Sequence, residues 1–128
     1  MMANVNDKRP VNLDLTTIKF PVTALASISH RVAGVALFVA VPILLWMLDR
    51  SLASPESFAE MKQLLDSWFA KVVLFGILAA IAYHFVAGIK HLIMDWGIGE
   101  TLEGGRRFAT ASFIVAAVLI VLAGVWVW

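Results

Sequence analysis

The sequence predicts an all-α membrane protein with three spanning helices, and composition and charge placement together carry that prediction. Of its 128 residues, 61% are hydrophobic and only 15% charged, against roughly half apolar and a quarter charged in an ordinary soluble domain. Mean hydropathy is +0.87, which argues against a water-soluble globule of this size. The charges are clustered, leaving uncharged runs of 17 residues from Val32 to Leu48, 18 from Val72 to Ile89 and 21 from Phe108 to Trp128. At about 1.5 Å per residue, with flanks such as Val22 to Ser29 added, each can cross a hydrocarbon core of roughly 30 Å.

The spans are expected near residues 22–49, 65–95 and 106–128, within one domain covering 1–128 and preceded by a polar segment at 1–21. The first run does not read as a cleaved signal peptide. It is too long, and the small-residue triplet Ala24-Leu25-Ala26 precedes the apolar stretch instead of following it. In the first connection, Ser54-Pro55-Glu56 offers a capping residue ahead of a proline suited to a first helical turn, and Ser57 with Glu60 is a rival capping box. Either one starts a short helix before the second span. Gly97 to Gly105, with four glycines and two glutamates, reads as a turn.

Orientation follows from the basic residues. With the N-terminus cytoplasmic, Lys8, Arg9, Lys19, Arg31, Lys90, Arg106 and Arg107 fall inside and Arg50, Lys62 and Lys71 outside. That asymmetry favours a cytoplasmic N-terminus and a periplasmic C-terminus. Trp46, Trp68, Trp96, Trp126 and Trp128 suit interfacial belts. With ten basic and nine acidic residues, no surface is basic enough to hold nucleic acid. There is no cysteine, so iron–sulfur clusters, thiolate metal sites and thiol nucleophiles are excluded from this chain.

Polar residues inside the spans carry the remaining information, because intramembrane ionisable groups normally face protein or water. Ser27, Arg31 and Gly34 fall on one face of the first span, with His30 about 100° round from Arg31. The hydroxyl and guanidinium can donate hydrogen bonds to a carbonyl oxygen in an apolar pocket, which is what a quinone head group presents. The competing reading has Arg31 snorkelling to the headgroups and Ser27 bonding back to its own helix. In the second span His84, Gly88, His91 and Asp95 share a stripe, with His84 roughly 15 Å from the cytoplasmic helix end. A neutral imidazole there can ligate haem iron, Gly88 leaves room for a flat macrocycle, and His91, Lys90, His30 and Arg31 are placed to receive the propionates. Alternatively, His84 is a buried histidine bonded across a helix interface and Gly88 a packing residue.

Taken together, Arg9-Pro10-Val11, Ser27 with His30-Arg31, and His84 with Gly88, His91 and Asp95 closely resemble the cytochrome b556 membrane-anchor subunits of bacterial succinate dehydrogenase, respiratory complex II. The similarity runs over nearly the whole chain, and two separate motifs make it specific. Two positions depart from the family pattern: Ala33 where Ser or Thr is usual, and Lys90 where Arg is usual. The second replaces a planar fork with a point charge.

The resemblance implies a three-helix anchor whose bundle is completed by a second small anchor subunit. Together the two would hold one haem b, with His84 as one axial ligand to the iron and the partner supplying the other. It also implies docking of flavoprotein and iron–sulfur subunits on the cytoplasmic side of the bacterial inner membrane, amid membrane lipid. Ser27 and Arg31 match ubiquinone-site residues. No residue of this chain is implied to be catalytic alone. Other readings are a quinol-linked fumarate reductase anchor, and a channel or structural membrane subunit without haem.

Overall fold

The computed structural model describes residues 14–128. Lys8, Arg9 and the Arg9-Pro10-Val11 motif lie outside the described residues. Four helices follow in order: α1 (Val22–Ala53), α2 (Pro55–Leu65), α3 (Trp68–Asp95) and α4 (Leu102–Val127). α1, α3 and α4 are each long and apolar enough to cross a membrane.

α1 begins after Pro21, whose extended backbone and fixed φ keep it outside the helix while its carbonyl accepts from Ala24 N. It spans 32 residues and contains Pro42. Spanning helices tolerate such a proline where neighbouring helices and small backbone adjustments re-satisfy the carbonyl it frees. α1 stops where Ser54 turns fully extended, at φ −164° and ψ 164°. The Ser54 hydroxyl then accepts from Ser57 N at 3.1 Å, with Pro55 in the first turn of α2. Ser54 therefore caps this helix, and the rival box is not formed: Ser57 is buried inside α2, donating to the Arg50 carbonyl at 2.6 Å and tying α2 to the end of α1.

Ser67 caps α3 by accepting from Ala70 N, so the second span starts at Trp68, slightly later than 65. The turn after α3 is shorter than Gly97 to Gly105. Only Gly97 and Gly99 adopt positive φ, 80° and 77°, and Thr101 then accepts from Gly104 N to start α4 at Leu102. Gly104 and Gly105 both lie inside the helix, and close approach requires Gly104 to be small. A Cβ on Gly104 would lie 2.7 Å from the Gly99 carbonyl oxygen.

The long helices run up, down and up. Phe75 meets Trp128 and Tyr83 meets Phe113, which sets α3 antiparallel to α4. The core consists mostly of small residues: Ala26, Ala33 and Ala40 on α1, Ala87 on α3, and Ala109, Ser112 and Ala116 on α4. Small residues let helix backbones approach where lipid removes the hydrophobic drive to associate. Ala33 belongs to the central cluster with Tyr83, Ala87 and Ala116, so a packing position holds this departure from the family pattern. The outward faces are apolar, Phe38 being 81% exposed, and all five tryptophans are exposed near helix ends. Such a surface belongs in lipid or against a partner.

Candidate functional site: a histidine cluster between α1 and α3

α1 and α3 bring all three histidines together. The His30 and His84 rings stack at 4.2 Å between centroids with 24° between planes, and His91 meets the same His30 ring at 5.2 Å. The two separate sequence motifs thus form one site. His84 Nδ1 lies 3.2 Å from the His30 carbonyl oxygen. A carbonyl only accepts, so Nδ1 is assigned a proton, and in that tautomer Nε2 keeps its lone pair. That Nε2 is not among the enclosed unpartnered atoms, whereas Nε2 of His30 is buried without a hydrogen-bond partner.

Gly34 makes this approach possible. A Cβ there would lie 3.2 Å from His84 Cε1 and 3.5 Å from Nδ1. Gly34 therefore sits at the edge of α1 that meets α3, between Ser27 and His30 around the helix, so the expected face of Ser27, Arg31 and Gly34 borders the histidine contact. Arg31 lies on the exposed side of α1, with Ser27 half-buried one turn earlier. Neither makes a hydrogen bond or ion pair to another described residue. Ser51 and Ser112 do bond back, to the Met47 and Phe108 carbonyls, both at 2.7 Å. The Ser27 hydroxyl makes no such bond, so the back-bonding alternative is not what the structure contains.

Gly88 faces open space, with nothing within 4 Å of a Cβ placed on it. Asp95 is exposed at the end of the stripe. Lys90 departs from expectation: it is 8% exposed and lines the groove between α3 and α4 with Phe108 and Ser112. A step of six residues from His84 turns it about 120° away, so it does not share the histidine face.

Sequence reasoning missed Tyr83. Its hydroxyl donates to the Ala26 carbonyl at 2.9 Å, and its ring stacks on Phe113 at 5.4 Å. The available signal was a lone tyrosine within an apolar span, whose hydroxyl must find an acceptor.

The donor set fits a haem on three counts. A histidine ligand characteristically commits its other ring nitrogen to a carbonyl or carboxylate, as Nδ1 of His84 does. The orphaned His30 Nε2 supplies a polar contact point beside it, and the surface at Gly88 is unobstructed. Stacked rings do not converge on a single point, and no group of three or more metal-ligating side chains forms a self-contained ion site among the described residues.

A profile described as succinate dehydrogenase/fumarate reductase transmembrane subunit matches residues 5–123. A Coxiella burnetii protein named succinate dehydrogenase cytochrome b556 subunit is 46% identical over 126 residues, covering 97% of this chain and 100% of the relative. A Paracoccus denitrificans protein of the same name is 34% identical over 122 residues, 94% of each chain. The mitochondrial cytochrome b560 subunit of Dictyostelium discoideum is 28% identical over 123 residues, 92% of this chain and 60% of the relative. The chain is therefore a multi-pass membrane protein belonging to the succinate dehydrogenase/fumarate reductase transmembrane subunit family.

Proposed function

We propose that this chain is the membrane anchor of a succinate:ubiquinone oxidoreductase, sharing one haem b with a second small anchor subunit and contributing to the ubiquinone-reduction site. One observation carries the reading: His84 Nδ1 lies 3.2 Å from the His30 carbonyl oxygen, which leaves Nε2 as the ring nitrogen for a ligand. His84 would hold the haem iron from this chain, and His30 and His91, whose rings meet each other beside it, would receive the propionates together with Arg31. When bound, the haem supplies a one-electron store beside the quinone.

Ser27 and Arg31 face the quinone. Their unspent donors hydrogen-bond a quinone carbonyl oxygen, orient the ring, and stabilise the negative charge that develops on that oxygen during reduction. Two electrons arrive from succinate through the flavoprotein and iron–sulfur subunits docked at this end. Two protons from the adjacent aqueous side complete the quinol. The basic asymmetry supports a cytoplasmic location for this end and a periplasmic C-terminus, in a bacterial inner membrane. The curated relatives quoted above are named for succinate dehydrogenase, which favours succinate oxidation over fumarate reduction.

The reduced-minus-oxidised spectrum of the purified complex tests the ligand assignment. A b-type spectrum altered or lost in His84→Leu is expected, and one identical to wild type rejects it.

A further inference from the structure

Tyr83 and His84, adjacent on α3, both attach to α1, and their targets are consecutive turns of one helix. Tyr83 donates to the Ala26 carbonyl at 2.9 Å, and His84 Nδ1 to the His30 carbonyl at 3.2 Å. The Ser29 hydroxyl lies beside the same phenol. These attachments fall on either side of Ser27 and directly before Arg31, the two side chains of this turn that make no hydrogen bond or ion pair to another described residue. Tyr83 is buried, stacked on Phe113 and packed in the central cluster with Ala33, Ala87 and Ala116. Its hydroxyl therefore reaches α1 from a ring that cannot swing.

We infer that Tyr83 is a positioning residue for quinone binding: its hydroxyl holds the Ser27–Arg31 turn of α1 in fixed register with His84. The inference rests on the quinone reading of Ser27 and Arg31 and adds to it a residue that touches neither quinone nor haem. A free α1 start would let the hydroxyl and guanidinium shift relative to the head group, and bonds to a small ligand are sensitive to displacements below an ångström. The Ala26 carbonyl also serves the ladder within α1, so removing the phenol oxygen loosens the tether without unravelling the helix.

The test is Tyr83→Phe in the assembled membrane complex, which keeps the ring and deletes one oxygen. The apparent KM for a short-chain ubiquinone should rise about three- to tenfold. The kcat, the dye-linked succinate oxidation and the b-type spectrum should stay near wild type. Ser29→Ala, beside the same phenol, should move KM the same way by less. An unchanged KM overturns the inference, and so does a uniform fall in kcat, haem content and assembly, which would mark Tyr83 as a packing residue. Ser27→Ala and Arg31→Leu separate the two levels of argument. If they leave quinone kinetics untouched, the quinone reading itself fails. If they raise KM while Tyr83→Phe does not, only the tether fails.

Discussion

The two ends of the α1–α3 pair are built on different physics. At residues 26–34 and 83–91 the helices are joined by polar tethers across an apolar interior, two hydrogen bonds to backbone carbonyls and a stack of imidazoles. At the opposite end they meet through apolar side chains around a cavity of about 310 Å³ lined by Ile43, Trp46, Met61, Leu64, Phe69 and Ile77 among others. There the polar contacts move outward into α2 and its surroundings, as a capped helix start and the ion pairs Arg50–Glu60 at 3.4 Å and Lys71–Asp66 at 3.2 Å. Interhelical hydrogen bonds in membranes contribute only about 0.6 to 2 kcal/mol each, so stability alone is a weak reason to concentrate them at one end. Direction is the better reason, since a hydrogen bond fixes where an atom points and an apolar contact does not. One end orients chemical groups, and the other holds the helices together.

That contrast can be broken or sharpened in order of effect. The largest change is expected from Gly34→Val, because a Cβ at 34 already lies 3.2 Å from His84 Cε1 and a branched side chain adds more. His84 must move off the His30 carbonyl, so the low-temperature electron paramagnetic resonance signal of the haem should shift its g values or vanish. Wild-type g values would show that the close approach is unimportant. At the other end, Ser54→Ala removes the cap of α2 and should cost about 1 kcal/mol, read as a lower detergent unfolding temperature with an unchanged haem spectrum. A spectral change there would mean that the two ends are not independent.

The smallest effect concerns pH. Glu56 sits in the first turn of α2, where its own backbone N–H and the Ser54 hydroxyl hold its carboxyl below the ordinary carboxylate range. Its contribution to folding is therefore complete above the unfolded value near about 4.3 and is lost as pH falls through the lower folded value. Amide exchange in α2 should accelerate with acid beyond the intrinsic rate in the native protein. Glu56→Gln should flatten that extra dependence, and an identical dependence in both would remove Glu56 from the cap.

Much of this architecture was legible in the residues, and the remainder had a physical reason to be hidden. Three spans follow from three uncharged runs, and Ser54-Pro55-Glu56 marks the start of α2 because capping is local chemistry. The membership of the site was also readable, since His30 and His84 each stand out as ionisable groups in apolar segments. Their stacking was not, because helices that are apolar all round carry little signal about how each is rotated against its neighbour. Gly34 illustrates the loss: a helical wheel groups it with Ser27 and Arg31, yet α3 selects the edge it shares with His30. Lys90 differs: its step of six residues from His84 already turns it off the histidine face, and what spacing left open was that α4 covers the side it takes. The early start of α4 was hidden differently, because glycines that usually end helices are required here by the approach of Gly99 to Gly104.

The central claim, that the histidine end acts on quinone while the α2 end only holds, has one direct measurement: the ratio of ubiquinone reduction to dye-linked succinate oxidation in complexes carrying Arg31→Leu. The account predicts that the ratio collapses by roughly tenfold or more, as loss of a charged hydrogen-bond donor in an apolar site should cause, while dye-linked oxidation persists. A ratio equal to wild type would contradict it.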